Sequence, residues 1–284
     1  MPFTKKALPR PSLQLVLSPE SDPDYVHFED AREAPFDSMA KTFSRVNAWW
    51  MADSALLSYW GREAAEQRFR DRAGLQSAFV ERRGTQAYVA WNDRFACVAF
   101  RGTESRSILD LVTDARIPFV RWDSPGEQVH AGFKDALEEV WPGLMAVLTT
   151  LGDRPVWFTG HSLGGALATL AGDRFTRVQA SAAFGELGGI YTFGSPLVGD
   201  RPFVDGFNAR CGDRSFRFVN DQDAVTRVPP PLLGYRHVNH ERFVGFDDPT
   251  VWLSEPLIDH TPRRYAVLVW NAFVEAALPA TPAT

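Results

Sequence analysis

Apolar and polar positions along this chain follow two rhythms. In "NAWWMADSALLSYWG" the apolar residues recur at helical spacing from Asn47 and stop at Gly61, which predicts a helix closed by glycine. A second helix follows to about Ala73. "QAYVAWNDRFACVAFRG" reads instead as two strands joined at Asn92-Asp93, a hairpin signal. "FKDALEEVWPGLMAVLTTL" is helical, with Pro142 predicting a kink or a restart. "PVWFTG" is a short apolar strand running into "LGGALATLAGDRF", a helix rich in small residues. "GGIYTFGS" and "SFRFVND" are two further buried strands, and "PRRYAVLVWNAFVEAAL" is a closing helix with Pro262 at its start. Strands alternating with helices in this order predict an α/β fold, a mostly parallel sheet with helices on both faces. Composition does not shift abruptly, so 1–284 reads as one domain, and the proline- and charge-rich residues 1–37 read as an N-terminal arm over its surface.

Composition narrows the class. The chain has 284 residues, 45% of them hydrophobic, with nine Trp and 21 Phe, enough for one large core. A net charge of −5 gives no reason to expect nucleic acid, and Arg68, Arg70 and Arg72 alternate with acids as on a solvated helix face. No stretch approaches the ~18 apolar residues of a spanning helix. In "MPFTKKALPRPSLQLVLSPESD", Pro9, Arg10 and Pro11 interrupt the place of a signal-peptide core, so the expectation is a cytoplasmic protein. Cys97 and Cys211 do not have the spacing of a disulfide framework or a metal site. Cys97 reads as a buried free thiol, with a bond between the two left open.

The chemistry concentrates in "WFTGHSLGGALATLAG", residues 157–172. Strand, tight turn and helix succeed one another, the context in which G-x-S-x-G forms a nucleophile elbow. Residues two before and two after the serine crowd such a turn and must be small, and here they are Gly160 and Gly164. Ser162 is then expected at a φ above zero, with its hydroxyl at the sheet edge. The helix behind it aims free amides at any negative charge that develops.

A serine hydroxyl needs a base within hydrogen-bond reach, oriented by a third group. The chain order expected with such an elbow is serine, then Asp or Glu, then His. His260, in "PLIDHTPRRYAV", sits on a loop before the last helix, where an imidazole can swing over the sheet edge. His237 and His240, in "GYRHVNHE", read as surface or structural residues. For the acid, "FRFVNDQDAVTRVPPP" ends a strand with Asp221 and Asp223, and spacing leaves both open.

Seven segments in series carry a resemblance: "FRGT" (100–103), "VHAGF" (129–133), "GHSLGG" (160–165), "TFGSPLVG" (192–199), "NDQDAVTRVPP" (220–230), "GYRHV" (234–238) and "DH" (259–260). Together, over roughly residues 45–275, they resemble the class 3 lipases, the family of filamentous-fungal triacylglycerol lipases with bacterial and plant relatives. The resemblance implies an α/β-hydrolase fold, with Ser162 as nucleophile, Asp223 as orienting acid and His260 as base. The family's acid stands two before the valine, here Val225, and Thr226 replaces the usual proline. For the oxyanion, the N–H of Leu163 directly follows the nucleophile. The resemblance adds Thr103, at the end of the "VAFRG" strand, as the second donor. His161 and Ser195 read as structural.

By the same resemblance, about 104–122 holds a short lid after the "FRGT" strand. Ile108, Leu109, Leu111 and Val112 fit an amphipathic turn there and fit an ordinary buried helix equally. "VPPPLLG" (228–234) and "WLSEPLI" (252–258) offer apolar rims for an acyl chain. The function implied is a triacylglycerol lipase working through an acyl-enzyme at a lipid–water interface, with no metal or organic cofactor and no obligate protein partner. Phospholipase A1 and short-chain or feruloyl esterase are the alternatives. A thioesterase, an amidase or a non-catalytic binding module on the same scaffold stands further off.

Overall fold

The strands run in chain order β1 (Gln76–Arg82), β2 (Thr85–Trp91), β3 (Ala96–Phe100), β4 (Phe119–Arg121) and β5 (Gln128–His130), then β6 (Val156–His161), β7 (Leu187–Phe193), β8 (Ser215–Val219) and β9 (Glu241–Phe243). The computed structural model describes residues 3–10, 25–102, 118–179, 185–220, 222–238, 241–243 and 258–277. One sheet has the order β1-β2-β3-β6-β7-β8-β9, and β4 pairs with β5 in a separate ribbon. In the seven-stranded sheet the first three strands are antiparallel, and the pairings β3-β6, β6-β7, β7-β8 and β8-β9 are parallel. The parallel half therefore sends all its carboxyl ends to one edge, where open α/β sheets place their ligands.

Helices α1 (Arg45–Leu57), α2 (Arg62–Asp71) and α6 (Pro262–Ala277) share one core with Tyr88, Ala90, Cys97, Trp157 and Tyr191 of the sheet. Helices α3 (Ala131–Leu148), α4 (Leu163–Gln179) and α5 (Arg201–Cys211) share another with Ala87, Val89, Val98, Phe158 and Ile190. Neighbours along a strand thus go to opposite faces. Because both faces are covered, the central strands read as continuous apolar runs without alternation.

Local chemistry starts and stops these elements. Ser44 caps α1 by accepting from the Asn47 N–H, and Asp200 caps α5 by accepting from Phe203 N–H at 2.9 Å. The Asn92 Oδ1 accepts from the backbone N–H of Arg94 and Phe95, closing the β2–β3 hairpin as the sequence predicts. Helix α3 runs unbroken through Pro142, without the restart considered above. Leu137, Val140 and Leu144 bury one stripe on both sides of the proline, which offsets its lost hydrogen bond.

The N-terminal segment is more than a covering. Tyr25, Phe28 and Phe36 are buried in the first core, and Asp53 of α1 accepts from the Tyr25 hydroxyl at 2.5 Å and the Phe28 N–H at 2.6 Å. Thr4 and Lys6 bond Trp270 and Asn271 of α6. Of the expected lid region, 104–117 lies outside the described residues, and Phe119–Arg121 form β4. That strand is tied to α4 through the next residue, Trp122, whose Nε1 donates to buried Asp173 at 2.7 Å. Cys97 and Cys211 are both free and buried, and burial pushes each thiol up to about 12.

Candidate active site

Ser162 occupies the single residue between β6 and α4, with φ at 59°, one of three described non-glycine residues with positive φ. Its N–H donates to the Phe193 carbonyl at 3.0 Å and its carbonyl accepts from Gly165 N–H at 2.9 Å. The turn is closed from every side, and the surrounding glycines are the consequence. A Cβ on Gly160 would overlap the backbone of Gly164 and stand 2.8 Å from the Gly165 nitrogen. One on Gly164 would overlap the Phe100 carbonyl at the end of β3, and one on Gly165 would come 2.8 Å from the Ser195 Cβ. Gly160 and Gly164 require hydrogen in place of a side chain because backbone, which cannot step aside, fills the space, and at Gly165 the Ser195 side chain fills it.

The end of β8 delivers the carboxylate. Asp223 is fully buried and caps a 3₁₀ turn, Ala224–Arg227, through the Val225 N–H at 2.9 Å. His260 lies just before α6, and its Nδ1 faces Asp223 Oδ1 at 3.0 Å and Oδ2 at 2.9 Å. An ionised carboxylate only accepts, so the imidazole proton sits on Nδ1 and the lone pair on Nε2. Neither that Nε2 nor the buried Ser162 Oγ has a hydrogen-bond partner among the described residues. Gly194, at φ 58°, follows β7 and lies against both residues: a Cβ there would sit 2.8 Å from Asp223 Oδ2 and 3.0 Å from His260 Nδ1. Since Ser162 is bonded to the neighbouring Phe193, serine, acid and imidazole gather around the end of β7.

A second ring of contacts holds this group. Tyr265 of α6 donates to Asp223 Oδ2 at 2.6 Å and accepts from Asn220 N–H at 2.9 Å. Burial, together with the neighbouring Asp223 carboxylate, holds that phenol well above its ordinary value, so it remains a donor. Asn220 Nδ2 donates to the Asp259 carbonyl at 2.8 Å, bracing the residue before His260. His161, expected to be structural, bonds the His260 carbonyl through Nε2 at 2.5 Å and the Tyr59 hydroxyl through Nδ1 at 2.8 Å. A carbonyl only accepts, so His161 carries its proton on Nε2 and receives the tyrosine's on Nδ1. Burial, and then the nearby His260, keep His161 neutral far below its usual range. His237, expected to be a surface or structural residue, bonds the Thr226 carbonyl at 2.5 Å, and Thr226 Oγ1 returns to the Asp223 carbonyl at 2.7 Å.

The expected oxyanion donors divide. Leu163 is the first residue of α4, so its amide has no partner within the helix. Thr103 lies outside the described residues, as do Asp221 and His240. The preceding Gly102 is buried and pressed against the Tyr59 hydroxyl, with the His161 carbonyl 2.7 Å from a Cβ placed there. Sequence reasoning missed Tyr265, Asn220, Gly194 and Tyr59. Only Gly194 had a visible signal, as a glycine directly after a buried strand.

Comparison with known proteins bears on the family and the fold. Residues 97–233 match the sequence model of the lipase (class 3) family, a span that contains Ser162 and Asp223. A lipase of Rhizomucor miehei is 35% identical over 175 residues, 58% of this chain and 46% of that protein. The secreted mono- and diacylglycerol lipase 1 of Fusarium solani is 36% identical over 121 residues, covering 40% of this chain and 33% of its own length. The chain spans about half the length of the curated relatives it matches, or less. The structure of lipase II from Rhizopus niveus superposes with a TM-score of 0.57 at 27% identity, covering 70% of this chain and 78% of that one. Cytoplasmic residence, expected from the interrupted N-terminal run, is overturned: the relatives include secreted lipases, which point to an extracellular location. The interrupted apolar run at residues 1–22 therefore does not report the compartment. With its elbow, its parallel sheet and these matches taken together, the chain has the α/β-hydrolase fold, and its residues 97–233 are similar to the class 3 lipase family.

Proposed function

We propose that this protein hydrolyses carboxylic esters through an acyl-enzyme, with triacylglycerols as its leading substrates. The observation that carries the reading is the buried, unpartnered Ser162 Oγ and the unpartnered His260 Nε2 gathered around the end of β7, with the His260 proton on Nδ1 fixed by Asp223. An imidazole held in that tautomer is a base aimed away from its carboxylate.

In the first half-reaction Ser162 Oγ bonds to the ester carbonyl carbon while His260 Nε2 takes its proton. The carbonyl electron pair moves to oxygen, and the amides of Leu163 and Thr103 receive that oxyanion, Thr103 by family resemblance. The imidazolium, held by Asp223, gives its proton to the leaving alcohol as the tetrahedral carbon collapses. Water repeats the sequence on the acyl-enzyme, releasing the acid and restoring Ser162. The names of the relatives support acylglycerols, and the mono- and diacylglycerol lipases among them make partial glycerides the second reading.

The test is hydrolysis of tri-, di- and monoacylglycerols and of p-nitrophenyl esters from short to long acyl chains, below and above the solubility limit, with Ser162→Ala alongside. Serine-dependent turnover that rises once a triacylglycerol interface forms supports the proposal. Turnover confined to partial glycerides selects the second reading, and smooth saturation on short soluble esters demotes the protein to an esterase. No serine-dependent turnover on any ester overturns the proposal.

A further inference from the structure

The run Val228–Tyr235 reads VPPPLLGY, without a charge, between Arg227 and Arg236. It starts five residues after Asp223 and holds a 3₁₀ turn, Pro231–Leu233. Its foot is anchored. The Leu197 N–H donates to the Val228 carbonyl at 2.8 Å, three residues beyond Gly194, and buried Tyr235 stacks on Phe119 with ring centroids 4.0 Å apart. The turn is closed by bonds from Leu233 and Gly234 to Pro230 and Pro231, and Arg236 donates to the Pro231 carbonyl at 2.7 Å. Proline rings fix φ at three successive positions.

This rigid turn displays leucine to solvent. Leu232 is 95% exposed and Leu233 43%. Among the described residues the only other exposed large apolar side chains are Val26 and Met39, each alone in its segment. A stiff, uncharged projection with two adjacent leucines leaves apolar area in water that no described residue covers. Its place matters as well. It leaves from the acid loop at the carboxyl edge of the parallel strands, the edge that carries Ser162.

We propose that the Pro231–Leu233 turn is a fixed anchor that inserts Leu232 and Leu233 into a lipid surface and so holds the Ser162 edge of the sheet against it. Lipid fits better than a second copy of the chain, because two leucines fall far short of the ~800 Å² per partner of a stable protein interface. Arg227 and Arg236 are exposed at the two ends of the run, where guanidinium groups stay in the headgroup layer while leucine enters the acyl layer.

The proposal builds on the ester-hydrolase reading, and its test separates the two. Ser162→Ala protein, which turns nothing over, is sedimented with phosphatidylcholine vesicles and with trioleoylglycerol emulsion, with and without Leu232→Asp. Partitioning should fall at least tenfold with Leu232→Asp, as expected for losing one inserted leucine, and should rise with Leu232→Trp. With Ser162 intact, the rate of Leu232→Asp on emulsion should fall at least tenfold relative to its rate on dissolved p-nitrophenyl butyrate. Equal partitioning of both forms overturns the anchor, as does a wild-type dimer in sedimentation equilibrium that dissociates with Leu232→Asp. If the unaltered enzyme hydrolyses no ester, the function fails while the partitioning arm still decides the anchor.

Discussion

Tyr265→Phe removes one oxygen and leaves the ring in place, so its effect isolates the hydroxyl's two bonds. The first is the 2.6 Å donation to Asp223 Oδ2, a hydrogen bond to a buried charge worth about 1.5–3 kcal/mol. The second is the acceptance from Asn220 N–H at 2.9 Å, and leaving that buried donor unpaired costs about 1–3 kcal/mol. Allowing for relaxation, a net destabilisation near the lower part of that range, about 3 kcal/mol, is expected. For a chain of this size that corresponds to a fall in Tm of roughly 5–10 °C. Asp223 keeps the Val225 N–H and the imidazole, so His260 stays oriented but less tightly. The expected kinetic result on a soluble ester is a kcat lower by roughly 10–100-fold with KM little changed. Calorimetry of the wild type, Tyr265→Phe, Asp223→Asn and the double variant completes a cycle, with a coupling of about 1–3 kcal/mol expected between the two side chains. A coupling under ~0.5 kcal/mol, or a Tyr265→Phe protein with unchanged Tm and kcat, would refute the claim that this hydroxyl holds the acid.

Two further outcomes follow from other parts of the molecule. Gly160→Ala puts a methyl into the Gly164 backbone, whereas Gly61→Ala meets nothing within 4 Å. The first should lower Tm by several degrees or prevent folding, and should abolish fluorophosphonate labelling of Ser162. The second should change neither, and equal behaviour of the two would sink the steric account of the elbow. Burial lowers the pKa of His27 and His237 to about 3 and of His130 to about 4, below the unfolded value of 6.5. The unfolded chain therefore binds more protons in that range, and the stability these groups contribute above pH 6.5 is lost as pH falls toward 3. Asp53, raised by burial to about 6, works in the opposite direction between 6 and 4, with a smaller displacement. Each tenfold change in proton affinity is worth about 1.4 kcal/mol, so the histidines dominate. Thermal melts should show Tm falling from pH 7 to pH 4, and a level or rising Tm would contradict the assignment.

The sequence by itself determined the elements whose signals are local. Gly-x-Ser-x-Gly between an apolar strand and a small-residue helix specifies the elbow, because Gly160 is excluded by the Gly164 backbone four residues on, whereas the clash of Gly164 with Phe100 arises only in the folded sheet. The hairpin at Asn92, the closing helix at Pro262 and the long helix at Ala131 are likewise set by neighbours in sequence. Strand β1 escaped notice because an edge strand, only half-buried, has no clean alternation in "QSAFVER". The short β4, β5 and β9 escaped because three residues carry no period. Helix α5, with its Asp200 cap and Pro202 in the first turn, was legible and went unread.

The tertiary structure decided everything that depends on distance across the chain. Spacing left Asp221 and Asp223 level, and the family resemblance chose Asp223. The structure puts Asp223 on His260, 37 residues away, because β8 and the start of α6 end beside the same Gly194. The roles of Tyr265, Asn220 and Tyr59 were invisible for the same reason, since a hydrogen bond between residues 42, 39 or 102 positions apart leaves no mark on periodicity. Segment 1–37, polar and proline-rich to the eye, contributes Tyr25, Phe28 and Phe36 to a core that only the folded helices α1 and α6 create. Local sterics and hydrophobic period write secondary structure into the sequence. Burial, tautomer and the meeting of catalytic groups exist only once the sheet has brought their carriers to one edge.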